Sequence, residues 1–254
     1  MTPDVAVVMG TWDRRAALQR CVASLRTAMN GFTHRILVAD AGSVDGSREW
    51  LAGQPDCELL EGGRDGAVRA FNVGFARAVD LGAPWVVQFN DDLVFSTGGG
   101  EVACAIDLMQ ADDGIGAVAF ASDRYAPGQP SCRWMRYHGK CYCNQGVFRR
   151  AAGMAAARLI GDPDGKRWWD PRFLTYASDT ILGLALWRLG WRVHEAADLC
   201  VHDSFMEDGG HADPLRARNV EAYTNGDVFV ADWGDPASAA YHRADAERYG
   251  GRLL

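Results

Sequence analysis

The sequence predicts an α/β protein: a mostly parallel sheet with helices on both faces, followed by a smaller subregion. Two observations carry that reading. From residue 5 to residue 120, short runs of strand-forming residues alternate with segments of helical apolar spacing, the pattern of a parallel sheet covered on both sides. Polar and acidic residues follow the first, second and fourth runs, at Thr11 to Asp13, at Asp40, and at Asp91 and Asp92. Open α/β sheets bind ligands at those carboxyl ends.

Residues 5–9 read as a buried strand. Residues 14–29 follow as a helix with Leu18, Cys21, Val22, Leu25 and Met29 on one face. Residues 36–39 form a second strand, then a Gly/Ser/Asp turn and a short helix over 47–51. Residues 58–61 are a third, weaker strand. Val68, Phe71, Phe75 and Val79 mark a helix that Gly82 closes. Residues 85–89 are a fourth strand, 101–111 a helix and 116–120 a fifth strand. The pattern then changes. Residues 124–150 carry Arg124, Arg133, Arg136, Lys140, Arg149 and Arg150, no acid, and interleaved Tyr125, Trp134, Tyr137, His138 and Tyr142. Further on, Ser178 reads as an N-cap and Asp179 as the first helical position, with Ile181, Leu182, Leu186 and Leu189 on the apolar face and Gly190 at the end. A short strand over 199–201 presents His202. The tail from about residue 235 is polar and Ala-rich and reads as a peripheral helix. With no internal repeat or low-complexity linker, one domain with a two-part site is the economical organisation.

Composition narrows the function. The chain has 254 residues, 48% hydrophobic and 23% charged, with a net charge of -7. That suits a globular protein with a sizeable core and disfavours a general nucleic-acid binder. No apolar run approaches the ~18 residues of a membrane span. The N-terminal region has Asp4 and no basic stretch, so no signal peptide is expected. Seven irregularly spaced cysteines then point to reduced thiols and a cytoplasmic location. Cys132, His138, Cys141 and Cys143 do not match a standard zinc spacing, and read as buried thiols.

The densest chemical signal is residues 85–95, Trp-Val-Val-Gln-Phe-Asn-Asp-Asp-Leu-Val-Phe. A strand delivers a cluster of acids at its end. Carboxylates there are costly to desolvate without a partner. A hard divalent cation is a usual partner, and such cations also hold phosphate oxygens. A metal-bridged nucleoside diphosphate at a strand end is the reading; an acidic surface turn is the plain alternative.

Several segments together resemble the family-two glycosyltransferases of the GT-A (Rossmann-like) fold, across about residues 5 to 205. Val8-Met9-Gly10-Thr11-Trp12-Asp13-Arg14 resembles the family's first strand and turn. Asp40-Ala41-Gly42-Ser43-Val44-Asp45-Gly46-Ser47 resembles its Asp-x-Gly-Ser-x-Asp-Gly turn, the most specific single match. Gly66 and Asn72-Val73-Gly74 match the next helix, and Asn90-Asp91-Asp92 takes the place of the metal-binding Asp-x-Asp. Asp170-Pro171-Arg172-Phe173 with Tyr176, Ser178 and Asp179 resembles the Phe-Asp-x-x-Phe segment and acidic pair, and Val201-His202 the late Val-x-His.

The resemblance implies a metal-dependent, inverting, hexosyltransferase-like enzyme. It would move one sugar from a nucleoside diphosphate sugar to an acceptor hydroxyl, using Mn2+ or Mg2+. Thr11, Asp13, Asp40, Gly42, Arg69, Asn72, Asn90 and Asp91 would lie about the nucleotide. Asp40 would accept hydrogen bonds from base or ribose, or else simply cap its own turn. Asp92 would hold the metal, with His202 completing the shell or touching phosphate. Asp179 would be the base that takes the acceptor proton, although Asp at a helix N-terminus is stabilising in its own right. Residues 1–121 would form the nucleotide-sugar half, 122–234 the acceptor and catalytic half, and 235–254 a peripheral tail.

Two positions depart from the family pattern. Asn90 replaces the first acid of Asp-x-Asp, so the metal would rest mainly on Asp92, with strand alternation turning Asp91 to the other side. Ser178 replaces the first acid of the pair and cannot act as a base near neutrality. The Gln-x-x-Arg-Trp signature of processive synthases is absent, which favours single-sugar transfer. The basic, aromatic insert would meet the acceptor: a glycan, a phosphorylated carrier, a protein or a modified nucleic acid. Two rivals remain. A sugar-nucleotide pyrophosphorylase would need more glycine after the first strand. A non-catalytic sugar-nucleotide or glycan binder would explain Asn90 and Ser178.

Overall fold

The computed structural model describes residues 1–95, 98–123, 136–137, 140–173 and 178–203. Strand β1 (Val5–Thr11) leads to α1 (Arg15–Ala28), β2 (His34–Asp40), α2 (Ser47–Ala52), β3 (Cys57–Glu61), α3 (Ala67–Leu81) and β4 (Trp85–Gln88). Then come β5 (Leu93–Phe95), α4 (Glu101–Ala111), β6 (Ile115–Ser122) and a separate small ribbon, β7 (Arg136–Tyr137) with β8 (Lys140–Cys141). The described part closes with β9 (Gly146–Arg149), α5 (Arg150–Ile160), α6 (Ser178–Arg188) and β10 (Arg192–Asp203).

Eight strands make one sheet in the order β3-β2-β1-β4-β9-β6-β10-β5. Strands β3, β2, β1 and β4 pair in parallel, as do β6 and β10. Strand β9 enters antiparallel between β4 and β6, and β5 lies antiparallel on the edge beside β10. The parallel block is the predicted one. The two antiparallel strands are additions that alternation of strand and helix does not reveal.

Both faces of the sheet are covered, as the apolar β1 sequence requires. Val5, Val7 and Met9 join the core under α1 and α4, while Ala6 and Val8 point into the core under α3, α5 and α6. The α1 stripe of Leu18, Cys21, Val22 and Leu25 is buried, as is the α3 stripe of Val68, Phe71 and Phe75. Gly82, at φ 77°, ends α3 in the left-handed conformation that glycine adopts without strain. Helix α3 sits low on β1: a Cβ on Gly74 would lie 2.3 Å from Val8 Cγ1. Phe75 then stacks on Trp168 with ring centres 4.7 Å apart, carrying the core into the second half of the chain.

That second half corrects the reading of the basic insert as one acceptor-facing segment. Residues 146–160 are β9 and α5, part of the main fold. Arg149 stands opposite Trp85 at the amino end of β4. Its Nη2 donates to the Met109 carbonyl at 2.5 Å, and its guanidinium lies 5.2 Å from the Trp85 ring. Arg149 is therefore a strut at the end of the sheet away from the acids. Lys140 covers the Trp187 ring at 4.4 Å. Residues 124–135, His138 and the tail from 235 lie outside the described residues.

Cys21, Cys57, Cys104, Cys141 and Cys143 are free thiols, and all but Cys104 are buried. Cys200 is disulfide-bonded, which departs from the expectation of thiols throughout. Among the described residues, no helix is long and apolar enough to cross a membrane.

Candidate active site

The parallel register brings the predicted residues together. Thr11 and Asp40 are paired neighbours at the carboxyl ends of β1 and β2, and Val8 pairs with Gln88 beside the end of β4. Past Gln88 the chain leaves the strand and turns, so Asn90, Asp91 and Asp92 lie against the turn that follows β1.

Asp91 and Asp92 are 5% and 7% exposed, and both face one cation. Arg14 Nη1 donates to Asp91 Oδ1 at 3.2 Å and to Asp92 Oδ2 at 2.9 Å. Thr11 Oγ1 donates to Asp91 Oδ2 at 2.7 Å. This corrects the expectation that Asp91 turns away from Asp92. Strand alternation holds only while the backbone is extended, and β4 ends at Gln88. Burial and the neighbouring Asp92 charge push the Asp91 carboxyl well above the ordinary carboxylate range, against the pull of Arg14 and Thr11.

The turns after β1 and β2 are clasped. Asp13 has φ 48°, the one non-glycine residue with positive φ among those described. Its amide donates to Ser43 Oγ at 2.9 Å, and its Oδ1 accepts from the Val44 amide at 2.6 Å. Arg15 N donates to Asp45 Oδ2 at 2.7 Å, across the same gap. These bonds hold Asp13 in a conformation that Asp adopts more readily than most residues.

Asp40 is completely buried. It accepts from Gly42 N at 2.9 Å, Ser43 N at 3.0 Å, the Ser43 hydroxyl, and Arg48 Nη1 at 2.8 Å. Burial works against its charge, but the bonds from Ser43, Arg48 and Gly42 outweigh it and hold the carboxyl below its ordinary value. Asp40 thus caps its own turn, and Gly42, at φ 84°, lets that turn close. Arg64, which sequence reasoning passed over, donates from Nε to the Ala41 carbonyl at 3.1 Å and from Nη2 to the Gly42 carbonyl at 3.2 Å. Its guanidinium lies 5.4 Å from the Trp12 ring.

Two further nucleotide candidates on α3 have partners within the chain. Arg69 is exposed on α3 and paired with Asp65 one turn earlier. Asn72 is buried, and its amide is engaged with the Trp169 main chain.

His202 pairs with Val94 across the β10–β5 ladder, close in sequence to the acids. Its Nδ1 lies 2.5 Å from Asp123 Oδ2. Among the described residues, no three His, Cys, Asp or Glu side chains gather as a ready metal cage. Asp179 opens α6. Its carboxylate accepts from Asn144 Nδ2 and from the Thr180 amide at 2.8 Å. Burial raises the Asp179 carboxyl above its ordinary value, against those two donors. Tyr176 lies outside the described residues.

A mixed sheet covered on both faces, with an acid pair after β4 set against the turn that follows β1, agrees with a glycosyltransferase of the GT-A fold, and the comparisons with known proteins show that class. The model of the family "Glycosyl transferase family 2" matches residues 6–142, more than half of the chain, and the chain belongs to that family. No curated protein sequence matches it. Among solved structures, one similar fold is the mannosyltransferase PcManGT from Pyrobaculum calidifontis, in complex with GDP-Man and Mn2+. Its TM-score is 0.63 at 17% identity, over 100% of this chain and 77% of that one. Another is S. aureus TarS 1-349 in complex with UDP-GlcNAc, with TM-score 0.60 and 12% identity, over 99% of this chain and 76% of that one. At such identities the likeness speaks for the fold.

Proposed function

We propose that the protein transfers a single sugar, with inversion, from a nucleoside diphosphate sugar to an acceptor hydroxyl, and that it uses a divalent cation. The observation that carries this is the convergence of Asp91 and Asp92 on one positive charge at the ends of β1 and β4. An acid pair that holds a guanidinium concentrates negative charge where a diphosphate-bridging metal would sit, and this supports the reading.

The donor set fits Mn2+ or Mg2+. Asp92 offers the hard oxygen such ions take. His202 is paired through Nδ1 with Asp123, and metal-ligating histidines commonly have a carboxylate on the second ring nitrogen. Asp92 and His202 would hold the ion, with diphosphate oxygens filling the remaining positions. Bound there, it would neutralise charge on the leaving diphosphate.

The chain's own residues supply the rest. Arg14 balances the acid pair before the donor arrives. The clasped turns of Asp13, Ser43 and Asp45 fix the floor on which the nucleotide lies, and Trp12 with Arg64 offers a flat, cationic wall. Asp40 contributes chiefly by shaping its turn. Asp179 takes the proton from the acceptor hydroxyl as that oxygen attacks the anomeric carbon. A carboxyl raised by burial is a better base than an ordinary aspartate. Residues 1–121 would serve the donor and residues 122–234 the acceptor, with Arg133, Arg136 and Lys140 as the side chains whose loss should damage transfer and spare nucleotide binding.

Calorimetry with GDP-Man and UDP-GlcNAc, with Mn2+ and with EDTA, tests this reading. One of the two should bind at least ~10-fold more tightly with Mn2+, a difference of about 1.4 kcal/mol. Asp92→Ala should remove the cation effect and Asn90→Asp should keep it. Equal affinity in EDTA contradicts the metal role.

A further inference from the structure

The core contains a polar path that neither packing nor donor binding calls for. It runs across the end of β4 from α3 to α6. Asn72 Nδ2 donates to the Trp169 carbonyl at 2.8 Å, and the Trp169 amide donates back to Asn72 Oδ1 at 2.9 Å. Trp169 Nε1 donates to Gln88 Oε1 at 3.2 Å. Gln88 Nε2 donates to the Asn144 carbonyl at 2.5 Å. Asn144 Nδ2 donates to Asp179. Gln88 is 0% exposed, Trp169 6% and Asn72 7%.

A buried glutamine in a central strand is a costly choice if the position only needs filling, because an apolar side chain would do so without desolvating an amide. Here both ends of the Gln88 amide are used, which leaves it one orientation. Trp169 is fixed in turn by Asn72 and by stacking on Phe71 at 4.3 Å. The turn bearing Asn144 is equally constrained, since a Cβ on Gly146 would meet the Val118 carbonyl oxygen at 2.1 Å. The path ends on a carboxylate that opens α6.

We propose that Asn144 is the positioning residue for the Asp179 carboxylate, held in place by Gln88, Trp169 and Asn72. This rests on Asp179 being the base. Asn144 donates to one carboxylate oxygen and takes up no proton itself. With the Thr180 amide on the other oxygen, it therefore fixes the plane of the carboxylate and favours its charged form against burial, leaving free lone pairs to meet the acceptor hydroxyl. Of the described titratable groups, the Cys143 thiol faces Asp179. Burial, then the charges of Cys141 and Asp179, raise that thiol well above its ordinary value, so it stays neutral over the working range. The Asp170–Arg172 ion pair is connected through Ser178, whose hydroxyl donates to the Asp170 carbonyl at 3.2 Å.

Carboxyl-carbon NMR on aspartate-labelled protein tests the contact, with Asp179 assigned by its loss in Asp179→Asn. Asn144→Ala removes the donor. Asn144→Asp keeps the shape and replaces the donor with a second acid. The Asp179 midpoint should move to higher pH in the first and further in the second. In Mn2+-supported hydrolysis of UDP-GlcNAc or GDP-Man, Asn144→Ala should lose ~10-fold or more in kcat with KM kept, and its acidic limb should follow the midpoint. An unmoved midpoint in both folded variants overturns the proposal. Hydrolysis by Asp179→Asn at the wild-type rate overturns the base assignment instead, which keeps the two failures apart.

Discussion

Arg14 donates to Asp92 across 2.9 Å and so ties the turn after β1 to the turn after β4. The same nitrogen reaches Asp91. Two carboxylates and one guanidinium, all largely buried, make the acid pair tolerable in a chain without metal. Removing one member of a buried ionic cluster leaves charge uncompensated and typically costs about 3–5 kcal/mol. Arg14→Gln should therefore be destabilised by about that amount in EDTA by urea denaturation. Mn2+ should restore more stability to the variant than it adds to the wild type, since a ligand of the folded state stabilises it. An equal Mn2+ effect on both proteins would show that the ion does not share the acids with Arg14.

Arg26 on α1 grips Asp56 ahead of β3, through Nε at 2.7 Å and Nη2 at 2.5 Å. Hydrogen bonding to Arg26 holds the Asp56 carboxyl at about 2, below its ordinary 3.8. A group depressed in the folded state stabilises the fold above its unfolded value, and that contribution is lost as pH falls through the folded one. The stability advantage of the wild type over Asp56→Asn should be full at pH 6 and shrink between about pH 4 and pH 2. Denaturant melts at both ends of that range check it; an advantage that survives unchanged at the acid end contradicts it.

Asp179 has the opposite sign. Burial raises its carboxyl, so the folded state disfavours the charged form at neutral pH. The helix N-terminus favours that charge by roughly 0.3–1 kcal/mol, but the raised direction means the net balance is unfavourable. Asp179→Asn should melt at or above the wild-type temperature at pH 7, and the difference should vanish below the ordinary aspartate value. A clearly lower melting temperature at pH 7 would mark Asp179 as a structural cap and not a residue held for chemistry.

The sequence showed the parallel half of the sheet well because its signals are local. The α3 stripe ends at Gly82 where expected, and residues 101–111 are helical to the residue. Strand β9 was hidden because its four residues sit in a basic segment and their pairing depends on β4 and β6, far away in sequence. Helix α5 is rich in alanine, which gives a weak apolar stripe. The acids are legible in the sequence but their direction is not, because period-two alternation holds only as far as Gln88, where the strand ends. Asp40 and Asn72 belong to legible motifs, but their hydrogen bonds within the chain depend also on Arg48 and Trp169, which the motifs do not name. Gln88 and Asn144 gave no sequence signal beyond a polar residue in an apolar strand, which in hindsight is the one that pointed to the buried path.

The most direct test of the account is the rate of Mn2+-supported sugar release from its nucleoside diphosphate donor, compared between the wild type and Asp179→Asn. Water stands in for the acceptor hydroxyl and needs the same base. The account predicts a folded variant that binds donor with wild-type affinity and turns over ~10²–10⁴ times more slowly. A variant that releases sugar at the wild-type rate would contradict it, and would place the base elsewhere than the start of α6.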